Sequence, residues 1–304
     1  MKNILFIATF LLPAQLLLAD TTWTGATNTD WFNAGNWDAG IPDTNDVVFI
    51  GNGATVDING VAEADYVEYT GGVGGLTTIN LTGGSLTESG NKFTGRSATD
   101  TNVEINISNA TWAATGGASF YGPDDSTGAL TFNLGANGHL DGYYRYRYDG
   151  LTINAANGIF EMALTGGVAG IVRLDNSAAL NLSGSGVMVF DIFGNGSSES
   201  LTASAAADLS GGSIQFRFDD AYTPMVGDSY TILNSANIVR NGAGSNVSSF
   251  DVDGKYEITW DASQWASGDL TIDSITAIPE PSSIFMMSFA GLLLGWIQLR
   301  RRQS

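Results

Sequence analysis

A triplet made of an apolar residue, Asn or Asp, and a second apolar residue recurs through the middle of this 304-residue chain. It appears as Ile79-Asn80-Leu81, Ile105-Asn106-Ile107, Phe132-Asn133-Leu134, Ile153-Asn154-Ala155, Leu180-Asn181-Leu182 and Ala207-Asp208-Leu209, with central residues 26, 27, 21, 27 and 27 positions apart. In a strand the flanking residues point one way and the central residue the other, so each triplet has one dry and one wet face. Gly-rich turns follow nearly every triplet. Leu182-Ser183-Gly184-Ser185-Gly186-Val187 and Leu209-Ser210-Gly211-Gly212-Ser213-Ile214 are the most alike, and each leads into a second apolar strand.

A period in the twenties without helical patterning predicts an all-β chain folded as a parallel β-helix, or β-solenoid, whose coils stack ~4.8 Å apart. No coil could bury its apolar face alone, so the inward set should be Ile79, Leu81, Ile105, Ile107, Phe132, Leu134, Ile153, Leu180, Leu182 and Leu209. A β-sandwich is the alternative, because its strands also recur between regular turn signals. Composition agrees with either. The 39 glycines suit many short strands and turns.

The flanks have a different character. Trp23, Trp31 and Trp37 lie in a segment leading to the apolar stretches 46–50 and 54–58, and are expected to plug the first coil rather than stack on sugar rings. This opening resembles those of secreted bacterial solenoids with autotransporter-associated strand repeats. After Phe218 the repeat dissolves into alternating stretches at 227–233, 256–260 and 270–272, which read as a closing β cap. The expected divisions are a signal peptide at 1–19, a Trp-rich cap and first strands at 20–74, the solenoid at 75–220, the C-terminal cap at 221–278 and a tail at 279–304.

Both ends carry targeting patterns. Lys2 precedes an almost wholly apolar run over residues 4–18, and Ala19 offers a small residue for signal cleavage. The tail reads Pro279-Glu280-Pro281, an uncharged run over 284–299, then Arg300-Arg301-Arg302. That run is shorter than the ~20 residues of an ordinary spanning helix, but snorkelling arginines can make up the difference. The arginines place the C-terminus on the cytoplasmic side and the preceding chain outside.

This tail resembles the sorting signal of PEP-CTERM proteins. The resemblance covers the tail alone and implies a transmembrane helix over 284–299, cleavage near the Pro-Glu-Pro motif by an exosortase-like enzyme, and export from a Gram-negative-type bacterium. Transient anchoring in the inner membrane would precede release to the cell surface or medium. The expected role is structural or adhesive, in an extracellular polysaccharide matrix or biofilm. A polysaccharide lyase or glycoside hydrolase on the same scaffold is the alternative, and a calcium-dependent adhesin a second.

Elementary chemistry narrows these classes. The chain has no cysteine, which removes disulfides, thiolate metal sites and cysteine nucleophiles. Its net charge of −19 repels phosphate backbones, so nucleic acid is not an expected partner. His139 is the sole histidine, with no nucleophile elbow to accompany it. Just beyond it, Tyr143-Tyr144-Arg145-Tyr146-Arg147-Tyr148 would place Tyr143, Arg145 and Arg147 on one strand face, where two guanidinium groups could hold uronate carboxylates over a tyrosine. His139, Arg145 and Arg147 are accordingly the catalytic candidates for a lyase, and Tyr143, Arg145 and Arg147 those for glycan binding. No cofactor is required, although Asp124-Asp125, Asp219-Asp220 and Asp43 with Asn45 and Asp46 could hold Ca2+. Turn capping is the simpler expectation for these acidic groups.

Overall fold

The computed structural model describes residues 20–51, 53–70, 75–90, 102–115, 119–121, 128–142, 145–147, 150–161, 171–175, 177–204, 206–235, 237–240 and 244–279. These form an all-β structure containing a solenoid of about six turns. Each complete coil contributes one strand to each of three walls, and strands of successive coils pair in parallel. This pairing sets aside the β-sandwich alternative.

The first wall holds the repeated triplets. Its strands Thr55–Ile58, Leu76–Leu81, Asn102–Ile107, Leu130–Leu134, Leu151–Ala155, Ala179–Leu182, Ala207–Asp208 and Ile238–Val239 stack in one eight-stranded sheet. Register aligns the triplets centre on centre, including the short 21-residue step from Asn133 to Asn154. All ten residues of the expected inward set are buried.

The central residues form a ladder on the outer face. Asn80 Nδ2 donates to Asp57 Oδ1 at 2.9 Å, Asn106 to Asn80 at 3.1 Å, Asn133 to Asn106 at 2.9 Å, Asn154 to Asn133 at 3.0 Å and Asn181 to Asn154 at 3.0 Å. Asparagine suits this row because each amide both donates and accepts, which lets one contact repeat indefinitely. Aspartates in the aligned positions close both ends. Asp57 accepts from Asn80 and from the Thr29 hydroxyl. Asp208 pairs in register with Asn181 but cannot donate when ionised, and it accepts instead from Ser210 N at 2.9 Å and Ser210 Oγ at 2.6 Å.

Glycine at the corner after this wall is set by the neighbouring coil. A Cβ on Gly138 would come within 2.0 Å of Ile107 O, and one on Gly186 within 1.9 Å of Ala155 O. Beyond the corner the second wall stacks Val61–Ala64, Gly84–Glu88, Ala110–Ala114, Gly138–Asp141, Ile159–Glu161, Val187–Gly194 and Ser213–Phe218. The third position of the coil is filled by Thr21–Thr22, Val47–Gly51 and Tyr66–Thr70 in one sheet, and by Ser119–Tyr121, Arg145–Arg147, Ile171–Asp175 and Ser200–Ala203 in another.

Coil strands extend past both ends of the expected 75–220 span. Val56 and Ile58 already pair with Ile79 and Leu81, and Ala207 pairs with Ile238. Val56-Asp57-Ile58 is a further copy of the triplet, 23 residues before the next, whereas at the other end Val239 stands where the earlier coils have Asn or Asp and the repeat fades.

At the N-terminal end Trp23, Trp31 and Trp37 are buried edge to face, with ring centroids 4.9 Å apart for Trp23 and Trp37 and 4.8 Å for Trp31 and Trp37. Trp37 Nε1 donates to Trp31 O at 2.7 Å. At the other end Ser229–Thr231, Tyr256–Asp261 and Asp269–Ala277 form an antiparallel sheet, joined to the last coil by Trp260 against Phe216 at 4.7 Å and Tyr256 against Phe218 at 5.7 Å. Among the described residues no helix is long and apolar enough to cross a membrane. The expected signal peptide at 1–19 and transmembrane helix at 284–299 lie outside those residues.

The stacked core makes a direct prediction. Leu182→Asp places a carboxylate where Leu182 now packs against the neighbouring coils, and should cost several kcal/mol, on the order of 3 to 5. Chemical denaturation of the variant beside the parent checks this, and an unchanged midpoint would contradict the inward facing of the triplets.

Candidate functional site

The strongest gathering of chemical groups among the described residues lies on the outer face of the second wall. Strand Gly138–Asp141 turns Leu140 into the core, so alternation puts His139 and Asp141 outside. On the next coil Phe160 points inward and Glu161 outward. Register pairs His139 with Ile159 and Leu140 with Phe160, and its continuation brings Asp141 beside Glu161. The following strands supply Asp191 and Arg217 as direct register partners.

Glu161 is the centre of the group and only 4% exposed. Its Oε2 lies 2.8 Å from His139 Nε2, and its Oε1 accepts from Arg217. To reach it, the Arg217 side chain crosses the intervening strand, where Asp191 Oδ1 lies 3.5 Å from the guanidinium. Asp191 is further fixed by its neighbour Glu199, whose Oε2 accepts from Asp191 N at 2.9 Å.

Three carboxylates share this patch with one guanidinium, and their ionisation differs accordingly. Burial disfavours the charged form of Glu161, but the His139 and Arg217 contacts outweigh it and hold the carboxyl below its ordinary range. Burial pushes Asp141 up to about 6, helped by the Glu161 charge. Burial likewise pushes Asp191 up to about 6, against the pull of Arg217 and with the charges of Glu161 and Asp141 adding to the rise. Beside the patch a cleft of about 260 Å³ is lined by Asp191, Phe193, Arg217, Phe218, Asp219, Asp220 and Asp253. Chemically the arrangement offers an imidazole, three carboxylates of unequal basicity and a fixed cation on one face.

The residues singled out from sequence do not all meet. His139 lies in the second wall, whereas Arg145 and Arg147 lie on a strand of the third, beyond the corner at Gly142. There Arg145 pairs with Ser119 and Arg173, and Arg147 with Tyr121 and Asp175, while Tyr146 is buried between them. Tyr143 lies outside the described residues, as do Asp124, Asp125, Glu280, Pro281 and Arg300 to Arg302. Of the acidic groups, Asp43 Oδ1 caps Asn45 N at 2.8 Å and Asp46 Oδ2 caps Asp43 N at 2.8 Å. Asp220 pairs with Lys255 at 2.6 Å, and Asp219 Oδ1 accepts from Ala221 N at 2.8 Å.

Sequence reasoning missed Glu161, Asp191 and Arg217 as partners of His139. The signal was the coil register, but the turn between walls is one residue shorter after Asn154 than after Asn133, which hides the alignment. No protein-family model and no curated protein matches the chain.

The raised aspartates set a pH dependence. Each has a folded pKa above its unfolded value of about 3.9, so its stabilising effect is complete below that value and is lost as pH rises through about 6. Glu161 works in the opposite sense, since its contribution is lost only as pH falls through its depressed pKa. Between pH 7.5 and 5 the aspartates therefore dominate. Stability should be higher at pH 5, by about 1 kcal/mol per aspartate. Thermal melts in the presence of chelator across this range check it: Asp191→Asn should flatten the dependence, and a parent protein that loses stability steadily from pH 7.5 to 5 would contradict it.

Proposed function

We propose that the chain is an exported, surface-sorted protein with a structural or adhesive role in an extracellular polysaccharide matrix. The observation that carries this reading is the way the solenoid uses its polar outer face. The most regular polar row, from Asp57 to Asn181, is bonded to itself along the stacking direction and reinforces the scaffold. A self-bonded, cysteine-free solenoid keeps its form outside a cell without disulfides, and its acidic composition favours solubility there.

The lyase alternative receives less support, because the residues expected to act together are divided between walls: His139 is in the second, and Arg145 and Arg147 are in the third. Delivery rests on the tail, whose Pro279-Glu280-Pro281, uncharged run and triple arginine resemble a PEP-CTERM signal. In this reading an exosortase-like enzyme is the processing partner. The membrane holds the chain only before cleavage, and extracellular polysaccharide is the partner afterwards.

The sorting step is testable in a host that contains an exosortase. Surface or culture material should lack residues 284–304, and alanine at Pro279, Glu280 and Pro281 should trap an uncut membrane form. Mass spectrometry that finds Ser304 on the mature surface protein would overturn the proposal of sorting.

A further inference from the structure

His139, Asp141 and Glu161 each offer one ligand atom, and these atoms lie within 4.8 Å of one another. They come from strands paired in fixed register, so the backbone holds them together without help from a loop. Two of the atoms are poorly served by the surrounding protein. His139 Nε2 and Asp141 Oδ1 are shielded from solvent, and neither makes a hydrogen bond of ordinary geometry with a described residue. His139 Nε2 does approach Glu161 Oε2 to 2.8 Å, but without the alignment that an N–H donor requires.

We propose that His139, Asp141 and Glu161 bind a divalent transition-metal ion of the zinc type. At ligand distances of about 2.1 Å, the 2.8 Å separation of His139 Nε2 and Glu161 Oε2 subtends close to a right angle at the ion. Asp141 completes a set of three protein ligands. The donor set selects the metal class. An imidazole nitrogen favours zinc and its neighbours, whereas Ca2+ takes six to eight oxygens, more than this trio can offer. Charge favours a cation here, since the carboxylates of Asp141, Glu161 and Asp191 outnumber the one guanidinium beside them. Arg217 holds the other oxygen of Glu161 and so orients the ligating carboxylate, as outer partners of metal ligands commonly do. The assignment is independent of the adhesive role.

The test uses the full chain without an affinity tag, stripped with chelator and titrated with ZnCl2 at pH 7.5 by calorimetry. One ion should bind per chain and raise the melting temperature by several degrees. Because His139 is the only histidine, its imidazole NMR signals report the site directly and should shift with the same stoichiometry. His139→Ala and Asp141→Asn should each weaken binding at least about 100-fold with an unchanged far-ultraviolet spectrum. The NMR arm needs no variant, so it decides the matter even if both substitutions misfold. Imidazole signals unmoved by saturating ZnCl2, Zn2+ affinity retained in a folded His139→Ala chain, or tight binding of CaCl2 in preference to ZnCl2 would each overturn the proposal.

Discussion

In-register parallel stacking of coils is the constraint on which the structure depends. A single coil has nothing to cover its apolar residues and no partner for its strand N–H and C=O groups. Stacking supplies both at once, and every coil added extends the same core. Register is what makes the stack specific. A slip of one residue would bring the Asn row inside and the Ile, Leu and Phe row outside. The ladder from Asp57 to Asn181 adds an outer restraint on that choice, since each amide meets its neighbour only when the triplets align. The stack must also end, and it does so with different chemistry at its two extremes: a buried tryptophan cluster at one and an antiparallel sheet at the other.

The charged patch is a consequence of the same register. His139 and Asp141 on one coil, Glu161 on the next, Asp191 and then Arg217 are far apart in sequence, and stacking alone collects them on one face. Burying carboxylates without full compensation is unfavourable. The raised aspartates record that cost, whereas Glu161 escapes it through His139 and Arg217. A scaffold held together over its whole length can support a local arrangement that would not be stable alone.

Much of the fold was legible in the sequence because its strongest signal is local. Ile105-Asn106-Ile107 states its own facing through alternation, and its recurrence states the coil. The ends of the solenoid were less legible, since Val56-Asp57-Ile58 keeps the triplet but stands only 23 residues before the next, and Ile238-Val239 keeps the geometry without a central Asn or Asp. The candidate site was harder still. His139 stood out as the sole histidine, and Arg145 and Arg147 stood out by composition, but their spacing concealed a corner of the coil that puts them in different walls. Glu161, Asp191 and Arg217 carry no local motif. They become partners of His139 only through long-range pairing, and a one-residue difference between neighbouring turns obscured that alignment.

Coil register is therefore the quantity to measure, and a chain without cysteine permits it cleanly. Thr131 and Thr152 are register partners on adjacent coils, whereas Thr131 and Asn154 are offset by two residues along the same face. Paired cysteines at the first two positions would sit at about the strand spacing of 4.8 Å, within disulfide reach, and those at the offset positions about 8 Å apart, beyond it. Under mild oxidation the Thr131→Cys, Thr152→Cys chain should crosslink rapidly within one molecule, while the Thr131→Cys, Asn154→Cys chain should remain reduced. Crosslinking of the offset pair in preference to the aligned one would contradict the stacked register and everything built on it.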